Sequence, residues 1–123
     1  MFVRNFFLAA AMASLSLTAP TRADEARVIE VRALPNGDGS YDFDVTLSHP
    51  DTGWEHYVDR WDVIGPDGKL LGKRVLYHPH VNEQPFTRSQ RVRIPAGVAQ
   101  VSIRTHCKRD GDGKAQFKVE LPK

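Results

Sequence analysis

Along most of this chain apolar and polar residues alternate one for one. Ile29, Val31 and Ala33 alternate with Glu30 and Arg32, and Tyr41, Phe43, Val45 and Leu47 alternate with Asp42, Asp44 and Thr46. The pattern returns at Val101, Ile103 and Thr105, and again at Phe117, Val119 and Leu121. A period of two is that of a strand with one buried face, and no window shows a helical stripe. Glu55 to Ile64, Leu70 to Tyr77 and Thr87 to Ile94 complete an expected seven strands, although the first two of these alternate less cleanly.

The connections between the strands fall into two classes. PNGDGS, GPDGK and PAGV are compact turns built from the residues that reverse a chain. SHPDTGWEH, HPHVNEQPF and HCKRDGDGK are longer and richer in chemistry. Short strands with turn signals at regular spacing predict an all-β fold, a seven-stranded antiparallel β-sandwich of the immunoglobulin or fibronectin III kind, with Trp61 as its central aromatic. Successive strands of such a sandwich run up and down in turn. The three rich connections therefore share one pole, and they hold His49, His56, His78, His80, His106 and Cys107.

The first residues change what the charge means. Arg4, an apolar run from Phe6 to Leu17 and the exit Thr21-Arg22-Ala23 read as a secretory signal, residues 1–23, cut before Asp24. The run is too short to cross a bilayer, which takes about 20 apolar residues, and nothing later is comparably apolar. The expected mature chain, residues 24–123, is then a single sandwich domain in the periplasm or outside the cell, with no membrane span. Arg4 and Arg22 leave with the signal, so 15 basic residues face 15 acidic ones. The acids crowd into the first half and the bases into the second. Antiparallel strands can pair the two sets, and nothing calls for a nucleic-acid partner.

His78 and His80 flank Pro79. If the strand ran on through the proline, both rings would fall on one side, a spacing that suits two ligands on one ion. His106 lies on the outward parity of its strand and Cys107 on the inward parity. The favoured site is therefore His78 and His80 with one of His106, His49 or His56, and Cys107 is expected to be a buried thiol or a further ligand. Imidazole donors in a mature chain without methionine suit Cu(II) or Zn(II). Asp59 shares the parity of Tyr57 and Trp61, so it is expected near-buried, with Arg60, Arg74, Arg88 or Arg91 as its partner. NGDGS and DGDG lack the later carboxylate of a calcium loop and read as turns. No nucleophile elbow is present, so the chain reads as non-enzymatic; the alternative is a zinc-dependent hydrolase with Glu55 or Glu83 beside the metal as general base.

The stretch from Asp51 to Ser89, with GWEHYVDRW and HPHVNEQPFTRS at its two ends, resembles a small family of uncharacterised secreted bacterial proteins. The resemblance implies export and carries no activity to transfer. Two functions follow from the residues. One is an exported protein that binds Cu(II) or Zn(II) through histidines at one pole. The alternative is a metal-free module that holds an exported protein or a glycan at the same pole through Trp54, Arg88 and Glu83.

Overall fold

In the computed structural model, which describes residues 25–123, the alternating runs form antiparallel strands and no helix. The expected signal and its cut before Asp24 lie outside the described residues. The strands are β1 (Arg27–Pro35), β2 (Ser40–Ser48), β3 (Val58–Ile64), β4 (Leu70–Val75), β5 (Phe86–Arg93), β6 (Gln100–Cys107), β7 (Gly111–Asp112) and β8 (Phe117–Glu120). One sheet has the order β1-β2-β5; the other runs β4-β3-β6-β7, and β8 also pairs with β6. The eighth strand is the two-residue β7. Gly111, at φ 82°, turns the chain back so that Gly111 and Asp112 pair with Cys107 and His106.

Phe43, Val45 and Leu47 of β2 point into the space between the sheets and meet Val58, Trp61 and Val63 of β3 and Val101 and Ile103 of β6. Each such side chain taken out of water contributes about 1.5–3 kcal/mol before the cost of ordering it. Trp61 is fully buried at the centre. Gly72 lets β4 lie close against β5 across the sandwich, since a Cβ there would stand 2.7 Å from both Val92 methyls.

Strict alternation fails at three register slips, one of them between Val63 and Ile64 in the β3–β4 pair, where both residues are buried; the other two move residues of interest. The β1–β2 register slips between Val28 and Glu30, so Val28 packs against the core and Ile29 is 46% exposed, contrary to the simple reading of that strand. A second slip, between Val58 and Arg60 in the β3–β6 pair, frees Asp59 from the core parity. Asp59 is only half-buried, and its partner is a histidine rather than an arginine: His106 Nδ1 lies 2.6 Å from its Oδ1. The buried carboxylate of this sheet is Asp62. It accepts from Arg60 Nε at 2.8 Å and from Arg104 Nη2 at 2.8 Å, and these two guanidinium groups cover it on the outer face.

Candidate metal centre

β2 and β6 each carry their inward parity one step beyond the apolar core. After Leu47 the next inward position is His49, and after Thr105 it is Cys107. The two strands belong to different sheets, so these side chains close the same end of the sandwich from opposite sides. His56 arrives from the loop between β2 and β3. That loop is tightened by the Thr52 N–H donating to the His56 carbonyl at 3.0 Å and the His56 N–H donating to Gly53 O at 3.1 Å. All three residues are buried, and one nitrogen of each ring and the thiol sulfur lie within 4.8 Å of one another. Donors around a single ion stand roughly 3.3–3.8 Å apart, so a closure of about 1 Å would bring the three onto one metal.

Asp51 decides which nitrogen His49 offers. Its Oδ1 lies 2.5 Å from His49 Nδ1 and accepts from that ring; the same oxygen accepts from the Val58 N–H at 3.2 Å, and Oδ2 accepts from the His80 N–H at 2.8 Å. Burial raises the Asp51 pKa, but the hydrogen bonds from His49, His80 and Val58 outweigh it, and the carboxyl is held below the ordinary aspartate value. His49 Nδ1 is thereby committed. Its Nε2 is buried and has no hydrogen-bond partner among the described residues, a costly state for a polar atom unless something else meets it. The carboxylate, histidine and open nitrogen form the arrangement that orients metal-ligating imidazoles.

The short β7 brings a further oxygen close. Asp110 Oδ2 is 3.5 Å from His56 Nε2 and 3.8 Å from Cys107 Sγ, and the carboxylate also holds Arg109 at 3.2 Å. A shallow recess of about 20 Å³ opens beside Cys107, walled by Glu25, Ala26, Thr105, Asp110 and the following loop. Sequence reasoning missed Asp51 and Asp110. The signal for Asp51 was its place two residues after His49, in a turn at the end of an inward-facing strand.

The other expected site residues are placed as follows. β4 ends at Val75, so Pro79 lies beyond the strand; His78 is exposed and His80 is buried, with ring centroids 4.6 Å apart. His80 Nε2 accepts from Arg88 Nη2 at 3.1 Å, and its Nδ1 stands 3.8 Å from Asp51 Oδ2. The Arg88 contact thus occupies Nε2, while Nδ1 is buried and has no hydrogen-bond partner among the described residues. Burial pulls the His80 pKa below the ordinary histidine value, and the charges of Arg88 and His78 pull it the same way. His106 lies on the outer face of its sheet with Asp59. Trp54 is 60% exposed on the loop rim, edge-on to Tyr57, and Glu83 is exposed and paired with Arg88 at 3.2 Å.

No family model matches the chain, and no solved structure matches it. A protein of Halomicrobium mukohataei, described as "Putative lipoprotein", is 38% identical over 96 residues, which are 78% of this chain and 47% of that protein. The chain thus spans about half the length of this curated relative. Among the described residues no helix is long and apolar enough to cross a membrane. The chain is an all-β antiparallel sandwich, similar over most of its length to one part of a longer protein described as a lipoprotein.

Proposed function

We propose that this is an exported protein that binds one Cu(II) or Zn(II) ion through His49, His56 and Cys107, with Asp51 orienting His49 and Asp110 beside the open side of the ion. The observation that carries the reading is the meeting of two imidazoles and a thiol, whose donor atoms lie within 4.8 Å of one another, together with a buried His49 Nε2 that has no hydrogen-bond partner among the described residues. Two imidazoles and one thiolate form a donor set that suits copper and zinc, and the thiolate adds affinity that surface histidines lack. Among the described residues no lysine or arginine pairs with the buried Asp51 carboxylate, and a cation at His49 would offset its charge. The leader-like first residues and the relative's description support export. The strand orders β1-β2-β5 and β4-β3-β6-β8 support an immunoglobulin or fibronectin III-like sandwich.

The test is equilibrium binding of Zn(II) and Cu(II) to the purified chain, with Co(II) as a spectroscopic probe for thiolate coordination. One ion per chain is expected, with a sulfur-to-cobalt charge-transfer band that Cys107→Ser removes. His49→Ala and His56→Ala should each weaken binding at least tenfold, whereas His78→Ala and His106→Ala should leave it within about twofold. Equal binding by the Cys107→Ser and wild-type proteins would overturn the reading. A second reading, an interaction module for an exported protein or glycan, is favoured by one observation: Trp54, Tyr77 and Val81 on the loops of this pole are all exposed. It requires Trp54→Ala to abolish partner capture without changing metal binding.

A further inference from the structure

The loop between β4 and β5 grips His49 through two separate bridges. Gln84 Oε1 accepts the His49 backbone N–H at 2.9 Å, while Gln84 Nε2 donates to the His80 carbonyl at 2.8 Å. Asp51 provides the other bridge, with His49 on one carboxylate oxygen and the His80 backbone N–H on the other. The His80 ring itself is held hard. It stacks on Phe86 with centroids 3.8 Å apart and planes 7° from parallel, and Arg88 lies over the same Phe86 ring at 5.6 Å. An arginine can only donate, so its contact with His80 Nε2 fixes the neutral tautomer with the proton on Nδ1. That N–H is buried, has no hydrogen-bond partner among the described residues and lies 3.8 Å from Asp51 Oδ2, too long for a bond and close enough to bias the carboxylate.

We infer that His80, locked by Arg88 and Phe86, is a positioning residue for the His49 metal donor, acting through Asp51. This rests on the metal reading above. The His80 ring directs an N–H dipole at one carboxylate oxygen and so keeps the other oxygen aimed at His49 Nδ1. His49 Nε2 is then presented in one orientation before any ion arrives. Outer groups that orient ligands in this way change metal affinity by about 10- to 100-fold.

The experiment uses three substitutions at position 80 and its neighbour. His80→Phe keeps the ring and its stack on Phe86 but removes both nitrogens. His80→Asn restores a donor at the place of Nδ1, and Arg88→Met releases the tautomer. Zn(II) affinity is measured by competition with a chromophoric chelator, and the His49 ring N–H bonded to Asp51 is followed in the metal-free protein by its slowly exchanging proton resonance. The expected result is a tenfold or greater loss of affinity and a weakened His49 resonance in His80→Phe and Arg88→Met, with His80→Asn recovering to within about threefold of wild type. A His80→Phe protein with unchanged Zn(II) affinity or an unchanged His49 resonance would overturn the inference. If the wild-type chain took up no Zn(II), the metal reading would fail, and the resonance comparison in the metal-free proteins would still decide whether His80 positions His49.

Discussion

Replacing Asp51 by asparagine tests the organisation of this pole most directly. The substitution preserves shape and removes one charge. Asp51 accepts three hydrogen bonds, from His49 Nδ1, the Val58 N–H and the His80 N–H, in a side chain wholly removed from solvent. An asparagine has one accepting oxygen and an amide that donates, so at least one of these donors would meet another donor. A buried donor left unsatisfied costs about 1–3 kcal/mol, and a hydrogen bond to a charged group contributes about 1.5–3 kcal/mol. Relief from burying the charge recovers part of this. A net loss of about 2 kcal/mol at pH 7 is expected, which in a domain of this size lowers the melting temperature by roughly 8–16 °C.

The pH dependence gives a second reading of the same residue. The folded-state pKa of Asp51 is lowered, so its contribution is fully present above the unfolded value of 3.8 and is lost as pH falls through the lower folded value. Urea titrations of the metal-free proteins at pH 7 and pH 3 should therefore show a gap between wild type and Asp51→Asn that narrows in acid, with the denaturant slope unchanged. A gap below 0.5 kcal/mol at pH 7, or one that stays constant down to pH 3, would refute the assignment of Asp51 as an ionised hub.

Three further outcomes are expected. His80 has a lowered folded-state pKa, so its contribution to stability is present above 6.5 and is lost as pH falls from 6.5 towards the folded value; His80→Phe should flatten the fall in stability between pH 7.5 and 5, and an unchanged slope would count against a buried neutral ring. Cys107 should react slowly with a thiol reagent in the folded protein, rapidly in denaturant and more slowly still with Zn(II) present, whereas rapid labelling of the folded protein would contradict its burial. Gly72→Ala should cost about 1–3 kcal/mol in thermal unfolding, because its new methyl meets Val92 across the sandwich, and a neutral result would mean that β4 and β5 lie farther apart.

How much of this protein the sequence determined by itself can be seen strand by strand. Alternation sufficed for β2 and β6, where Phe43, Val45 and Leu47, and Val101, Ile103 and Thr105, all face inward as their parity requires. It also sufficed to make the fold all-β and antiparallel and to gather the longer loops at one pole, because side-chain period and turn chemistry are local properties of the chain. The same parity carried one step further reaches His49 and Cys107, so two of the three candidate donors were legible where the HPH motif drew attention instead.

What only the tertiary structure decided depends on register between strands. The slips at Val28 and at Val58 moved Ile29 outward and released Asp59 to His106, and no alternation pattern records such a slip. Asp62 became the buried carboxylate because Arg60 and Arg104, 44 residues apart in the chain, fold over it from adjacent strands. Asp51 became a hub because three segments deliver donors to it at once, and His80 was turned from a ligand candidate into a neighbour of that hub by Arg88. Each of these depends on where separate strands stop relative to one another. That is set by packing across the sandwich, a sum over distant contacts that no single stretch of sequence contains.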